Sequence, residues 1–219
     1  DYKWDKAVEY VSTTCPHCPV GCQLKLEVNR RGKVIRAIPD LEAEANHGQA
    51  CFKGKFGLEF INGSGALTTP LIRRNGTLQE ATWEEALDTL ASRLGGFKGD
   101  QFALLTAPDS TNEEHYLAQK FARTVMGTNN VDQTSNTQPE LVLALEASLG
   151  YPAATNPIWD LEQSGCILVF SSNVTEEQNV VAVPIKRAAR KNTKLVVVDS
   201  REVELTRYAH VWLRPAPGT

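Results

Sequence analysis

The feature that most restricts what this chain can fold into is a group of cysteines near its start. Residues 15–22 read CPHCPVGC and hold Cys15, Cys18 and Cys22, and a fourth cysteine, Cys51, follows much later in the chain. Closely spaced thiolates are typical metal ligands, and a ligand from a distant segment ties two parts of a chain to the same site. The fold must therefore bring Cys51 back beside the first three cysteines.

A disulfide framework is a poor explanation for these cysteines. The chain has five of them, an odd number, and its 219 residues are enough to fold around a hydrophobic core without covalent staples. We expect metal-bound thiolates in a reducing compartment and predict a cytoplasmic location. The alternative is one CxxC disulfide with unpaired thiols elsewhere.

Composition and charge argue against two classes of partner. Lysine and arginine number 23 against 26 aspartates and glutamates, a formal net charge of −3, so no nucleic-acid partner is expected. No apolar run approaches the roughly 18 residues that would span a bilayer, so we expect no direct membrane insertion. No signal peptide is visible. The chain begins with Asp1 and not with methionine, so its natural start could lie upstream.

Two kinds of metal site compete for the cysteines. Structural zinc typically uses two CxxC pairs, and this sequence has only one. Three cysteines in one loop and one remote cysteine suit a cubane iron–sulfur cluster, and Pro16, Pro19 and Gly21 let the loop backbone approach inorganic sulfur closely. The spacing favours a 4Fe-4S cluster, and a zinc-stabilised structural subunit stays open as the alternative.

The first part of the chain has the pattern of a small β-rich domain. Residues 23–28 alternate polar and apolar side chains, and residues 34–38 follow a short turn as a second strand. The resulting hairpin separates the cysteine loop from Cys51 and can return Cys51 to it. We predict a cluster-binding domain over residues 1–66.

The second part has the pattern of an α/β domain. Thr82 is expected to cap a helix, and continuous apolar runs at Cys166–Phe170 and Leu195–Val198 are typical of strands buried on both faces. Cys166 is accordingly expected to be a core thiol. Alternation of such strands with helices predicts a partial doubly wound, Rossmann-like parallel-sheet domain over residues 67–219.

The cysteine motif and several later segments resemble one known family. The spacing of Cys15, Cys18 and Cys22, together with the tetrapeptide CFKG that begins at Cys51, resembles the iron–sulfur domain at the start of the molybdopterin oxidoreductase family. Members that share this pattern include catalytic subunits of formate dehydrogenase and the large iron–sulfur subunit of NADH–quinone oxidoreductase. Further segments that resemble the family are Leu67–Arg73, Thr82–Leu87, Gly127–Asp132, Val197–Arg201 and Leu213–Pro215.

The resemblance implies a 4Fe-4S cluster held by Cys15, Cys18, Cys22 and Cys51. It also implies that Lys53 lies between the cluster and a pterin and takes part in the electron path. A solvated lysine in a basic loop is the plainer interpretation of Lys53.

A site for molybdopterin guanine dinucleotide is the second implication of the resemblance. The matching positions are Ser171, Asn173, Asp199, Arg201 and Gly218. The family favours glycine where this chain has Ser171, and the added bulk weakens the expected binding. An aspartate at the end of a strand, such as Asp199, often caps the next turn instead.

Two departures from the family pattern bear on catalysis. In formate dehydrogenases the segment that matches residues 133–139 carries a cysteine or selenocysteine that binds molybdenum or tungsten, followed by a histidine. Here it reads QTSNTQP, with neither. The family's catalytic subunits also continue far beyond the position of Thr219, so we expect a fragment, a split subunit or a relic of the longer fold.

These observations predict an iron–sulfur electron-transfer module of a formate dehydrogenase-like or NADH dehydrogenase-like complex. One 4Fe-4S cluster would relay single electrons, and the expected partners are other redox subunits that carry iron–sulfur clusters and flavin. Catalysis by this chain alone is not expected, because the molybdenum or tungsten ligand is absent. A working molybdenum- or tungsten-pterin formate dehydrogenase, represented only by its N-terminal part, is the enzymatic alternative.

Overall fold

The structure is a computed structural model that describes residues 6–63, 65, 67–134 and 139–218. The strands are β1 (Ala7–Thr14), β2 (Gln23–Asn29), β3 (Val34–Pro39), β4 (Leu71–Arg74), β5 (Thr77–Glu80), β6 (Leu104–Thr106), β7 (Val131–Gln133), β8 (Cys166–Phe170), β9 (Lys194–Val198) and β10 (Val211–Leu213). The α-helices are α1 (Phe52–Phe56), α2 (Trp83–Leu94), α3 (Asn112–Lys120), α4 (Pro139–Leu149), α5 (Val174–Glu177) and α6 (Asn179–Arg190). Within these ranges, no helix is long and apolar enough to cross a membrane.

The chain divides into two compact units. The described residues of Asp1–Asn62 and Glu140–Thr219 form the first unit, and those of Gly63–Pro139 form the second. The predicted division of the chain at residues 66 and 67 stays a prediction.

An antiparallel sheet supports the cysteine loop in the first unit. Its strand order is β1-β2-β3, which confirms the predicted hairpin of β2 and β3. Leu24, Leu26 and Val28 of β2 are buried on one side, because side chains alternate between the faces of a strand. The start of β2 directly follows Cys22, so the sheet fixes the end of the cysteine loop.

A parallel sheet forms the other part of the first unit. Its order is β10-β9-β8, and helices α5 and α6 lie between β8 and β9 in the chain. Ile167 and Val169 of β8 pack with Leu195 and Val197 of β9 and with α6 residues such as Ile185 in one hydrophobic core. A helix laid against parallel strands is the basic unit of α/β folds, so the mixed α/β class is confirmed. The complete doubly wound arrangement stays a prediction.

The burial of β8 corrects two predictions. Its side chains alternate between buried and exposed, and Leu168 and Phe170 are exposed, so the prediction of a strand buried on both faces is wrong for this chain. Cys166 is exposed as well, so it is not a core thiol. A continuous apolar run means only that the side chains on both faces of a strand are suited to burial. Whether a face is buried depends on which helices or strands cover it.

The described residues of the second unit include two small strand pairs and the α-helices α2 and α3. Strands β4 and β5 form an antiparallel hairpin, and β6 and β7 pair in parallel. Helix α2 begins as predicted, because the Thr82 side chain accepts a hydrogen bond from the Glu85 N–H at 3.2 Å. Segment 133–139, where the sequence lacks a molybdenum ligand, continues from β7, and its residues 135–138 lie outside the described ranges.

Candidate metal centre

The first three cysteines lie in a loop that is closed by its own backbone. The Cys15 N–H donates to the Cys22 carbonyl at 2.8 Å, and the Gly21 N–H donates to the Cys18 carbonyl at 3.3 Å. Gly21 has a φ of +63°, a left-handed conformation that glycine adopts without steric cost. The loop therefore begins and ends at the same place, with Cys15 and Cys22 side by side at its base.

Helix α1 brings the fourth cysteine to this loop. Cys51 directly precedes α1, and its carbonyl accepts a hydrogen bond from the Lys55 N–H at 3.1 Å. Gly54 is the buried residue of α1, and a Cβ added to it would lie 3.6 Å from the Cys15 Sγ. This is an ordinary van der Waals distance, so α1 packs directly against the cysteine loop at this position. Cys51 lies near enough to Cys15 and Cys22 to help raise the pKa of both thiols, and the predicted set of four ligands stays a prediction.

The pKa shifts of the two buried thiols indicate that other cysteines lie nearby. Burial raises the pKa of the Cys22 thiol to about 11, and the neighbouring thiols of Cys18, Cys15 and Cys51 contribute to the rise. Burial also raises the pKa of Cys15, while the His17 backbone N–H opposes the shift. Buried thiols therefore stay protonated unless a positive charge stabilises their thiolates, which is what a metal supplies.

The donor set fits an iron–sulfur cluster. The donors are soft sulfur atoms, the thiols of Cys18, Cys15 and Cys51 lie close enough to Cys22 to raise its pKa, and Gly54 of α1 lies beside the Cys15 sulfur. Across the described residues, no group of three or more His, Cys, Asp or Glu side chains is arranged to hold a metal ion. The predicted site of four cysteines therefore stays a prediction.

His17 and Lys53 flank the cysteines. The His17 Nε2 is buried and has no hydrogen-bond partner among the described residues, and a Cβ added to Gly57 would lie 2.9 Å from it. The ring thus packs against the end of α1. Lys53 lies on α1 with its side chain exposed, two residues after Cys51. Its predicted part in an electron path is not decided by this position.

The predicted nucleotide-binding residues lie at the carboxyl ends of neighbouring parallel strands. Ser171 follows β8, and its N–H donates to the carbonyl of Val198 in β9 at 2.8 Å. Its φ is +47°, which explains why glycine suits this position. Asn173 precedes α5 without capping it, and its Oδ1 accepts a hydrogen bond from the Thr175 hydroxyl at 2.8 Å.

The remaining predicted positions follow β9 and β10. Asp199 is buried, and its Oδ1 accepts a hydrogen bond from the Arg201 N–H at 2.8 Å. The Asp199 carboxylate therefore caps its own turn, which is the alternative to a nucleotide contact. Its other oxygen, Oδ2, takes no part in this bond. Gly218 lies in a turn with a φ of +81°. Open parallel sheets bind ligands at this edge, so the place suits a nucleotide even though these contacts are internal.

Sequence reasoning missed two residues that hold the site together. Trp159 packs in one hydrophobic core with Cys15 and Cys22 although it lies far from both in sequence. Asn46 is fully buried and binds the backbone on both sides of the gap between Cys22 and Cys51. No local pattern marks Trp159, whereas the Asn-His-Gly segment at residues 46–48 indicates only a loop.

Comparisons with known proteins agree with this geometry. The family profile described as "Molybdopterin oxidoreductase Fe4S4 domain" matches residues 8–63, and the profile described as "Molybdopterin oxidoreductase" matches residues 67–219. The chain belongs to the molybdopterin oxidoreductase family. This membership supports a 4Fe-4S cluster as a cofactor of the chain and leaves a molybdopterin as a second one that it could bind.

Individual relatives come from formate dehydrogenases and NADH–quinone oxidoreductases. F420-dependent formate dehydrogenase 2 subunit alpha of Methanococcus maripaludis is 39% identical over 95% of this chain and 31% of its own length. An NADH-quinone oxidoreductase subunit of Rhizobium meliloti is 37% identical over 98% of this chain and 25% of its own length. Among solved structures, acetylene hydratase from Pelobacter acetylenicus superimposes with a TM-score of 0.64 at 16% identity, over 92% of this chain and 29% of its own. The chain thus spans a third or less of each of these relatives, and the acetylene hydratase likeness concerns the fold alone.

Proposed function

We propose that this chain is an iron–sulfur electron-transfer module of a formate dehydrogenase-like or NADH dehydrogenase-like complex. The observation that carries the proposal is the match of residues 8–63, which include Cys15, Cys18, Cys22 and Cys51, to the molybdopterin oxidoreductase Fe4S4 domain. These four side chains would hold one 4Fe-4S cluster, which when bound takes up and releases one electron at a time.

The chain's own residues have three tasks in this function. The cysteine loop and α1 exclude water from the buried thiols of Cys15 and Cys22. The His17 backbone N–H, which already faces the Cys15 sulfur, stabilises negative charge there, as hydrogen bonds to ligand sulfurs do in such centres. Lys53, exposed just beyond Cys51, is the residue that we propose for the electron path out of the site.

Complex formation is part of the proposal. The relatives are named as parts of formate dehydrogenase and of NADH–quinone oxidoreductase. We propose that this chain likewise works beside redox subunits that carry further iron–sulfur clusters and flavin, in the cytoplasm. Residues 1–66 would form the cluster domain, and residues 67–219 part of a doubly wound domain.

A second candidate function is catalysis with a molybdenum- or tungsten-pterin. Its support is the row of predicted residues at the carboxyl ends of β8, β9 and the segment after β10. We propose Ser171, Asn173, Asp199, Arg201 and Gly218 as dinucleotide contacts. The absence of cysteine and histidine from residues 133–139 makes this candidate the weaker one.

Metal analysis of the anaerobically purified native complex would separate these functions. Iron, zinc, molybdenum and tungsten are measured and assigned to this chain, with absorption spectra before and after dithionite. About four irons on this chain without molybdenum or tungsten support the relay. Molybdenum or tungsten with iron supports catalysis, and zinc without iron rejects both in favour of a zinc-stabilised structural subunit.

A further inference from the structure

The cluster site depends on a fixed relation between two separate segments. Cys22 ends the cysteine loop and leads into β2 at Gln23, whereas Cys51 comes from the loop after β3. One cluster can bind all four cysteines only if the segments that carry Cys22 and Cys51 keep a fixed position relative to each other. The contacts that join the two segments therefore matter for cluster binding.

The side chain of Asn46 makes this connection. Its Oδ1 accepts a hydrogen bond from the Gln23 N–H at 2.9 Å. Its Nδ2 donates to the Gln23 carbonyl at 3.3 Å and to the Gln49 carbonyl at 2.7 Å. Gln23 directly follows Cys22, and Gln49 lies two residues before Cys51. One amide thus binds the backbone next to a ligand of each segment.

The surroundings of Asn46 make it a rigid connection. The side chain is fully buried, with 0% exposure, and both amide hydrogens have acceptors. The turn that carries it is closed by the Gln49 N–H, which donates to the Asn46 carbonyl at 2.7 Å. The next residue, His47, has a φ of +41° and stacks on the buried Trp159. These contacts hold the Asn46 side-chain amide in one orientation, in which it keeps all of its hydrogen-bond partners.

We propose that Asn46 is the positioning residue that sets Cys51 relative to Cys22 for cluster binding. The role in cluster binding rests on the proposed function. The position of Asn46 between the two segments rests on its observed hydrogen bonds. Asparagine is required because the site presents one N–H donor and two carbonyl acceptors. Aspartate keeps the bond to the Gln23 N–H but loses both donors, so it places oxygen against the two carbonyls and releases the Gln49 side.

The chain offers a matched control in Asn62. Its Oδ1 accepts a hydrogen bond from the Val34 N–H at 3.0 Å, and its Nδ2 donates to the Val34 carbonyl at 2.6 Å. This amide also binds backbone, at β3 and not beside a cysteine, although Asn62 is exposed whereas Asn46 is buried. Asn62→Ala removes such a connection without releasing Cys51.

The experiment compares wild type, Asn46→Ala, Asn46→Asp and Asn62→Ala as full chains, reconstituted anaerobically with iron and sulfide. Circular dichroism confirms the fold, and Asn46→Asp serves if Asn46→Ala does not fold. We expect both Asn46 variants to lose cluster absorbance to a chelator about tenfold faster than wild type, the effect of losing the buried hydrogen bond to the Gln49 carbonyl that both variants lack. We also expect a three-iron signal in electron paramagnetic resonance, since Cys51 is the released ligand. Asn62→Ala should resemble wild type.

A metal-free measurement keeps the inference independent of the proposed function. Mass spectrometry follows alkylation of Cys51 and Cys18, both half-buried, in the cluster-free chains. A rise of about tenfold in the rate at Cys51 relative to Cys18, confined to the Asn46 variants, supports the inference even if wild type binds no iron. Wild type without iron rejects the proposed function alone. Unchanged alkylation in a folded Asn46→Asp chain overturns the positioning role.

Discussion

Trp159 offers the sharpest test of how the cysteine loop is supported. The side chain is 9% exposed and lies in one core with Cys15 and Cys22. Its Nε1 donates to the Ala45 carbonyl at 3.2 Å, and its ring stacks on His47 with centroids 4.4 Å apart and planes inclined by 5°. Replacing it with alanine removes all three interactions at once.

The magnitude follows from these contacts. Truncating a buried aromatic to alanine costs about 3–5 kcal/mol through lost burial and a cavity, and this range already includes much of the stacking. The Ala45 carbonyl also loses its partner, which costs about 1 kcal/mol or more. We expect Trp159→Ala to lower the free energy of unfolding of the first unit by about 4 kcal/mol. Trp159→Phe keeps a ring against His47 and should lose only about 1–2 kcal/mol.

Urea unfolding of the cluster-free chain, followed by far-ultraviolet circular dichroism, measures these losses. Trp83→Ala is the matched control, because Trp83 is 68% exposed and its replacement should cost no more than about 0.5 kcal/mol. If Trp159→Ala cost no more than Trp83→Ala, the argument that Trp159 packs behind the cysteine loop would be refuted.

Three further predictions concern local features. Ser171→Gly should stabilise the chain by about 1 kcal/mol in the same assay, because it relieves a φ of +47°. Ser172→Gly is the control at a position without positive φ and should destabilise the chain. Equal effects of the two substitutions would contradict the strain argument. In the native cluster-free chain, Cys166 should be the first cysteine that a maleimide labels, because it is exposed, and Cys166→Ser should remove this fast phase; a fast phase that persists would show that another thiol is more accessible. Thr111→Ala should weaken helix α3 by about 1 kcal/mol, because the Glu114 N–H then loses its bond to the Thr111 hydroxyl in the capping box. The loss should be measured as faster hydrogen exchange at the Glu114 amide. Unchanged exchange would mean that the cap contributes nothing.

The cysteine motif and the local elements could be predicted from the sequence because their signals are local. Spacing within residues 15–22 indicates a metal site wherever the rest of the chain goes. Alternation in β2 and β3 predicted their hairpin, and Thr82 predicted the start of α2, since strand pleating and helix capping involve residues close in sequence.

Burial and long-range support could not be predicted in the same way. The apolar run of β8 was interpreted as buried on both faces, yet Cys166, Leu168 and Phe170 are exposed, because which face is covered depends on elements elsewhere in the chain. Asp199 could be interpreted from the sequence as a nucleotide contact or as a turn cap. The observed bond from the Arg201 N–H shows the turn cap, and the nucleotide contact stays a prediction.

Which donor atoms are available follows from the order of the residues alone: four thiols in a three-plus-one pattern. How these thiols are held depends on contacts that form only in the folded chain. Asn46 joins the backbone beside Cys22 to the loop before Cys51, and Trp159 packs behind Cys15 and Cys22 from far along the chain. Such contacts form between residues that are distant in sequence, and they depend on side-chain packing and hydrogen-bond partners that exist only once the segments have come together.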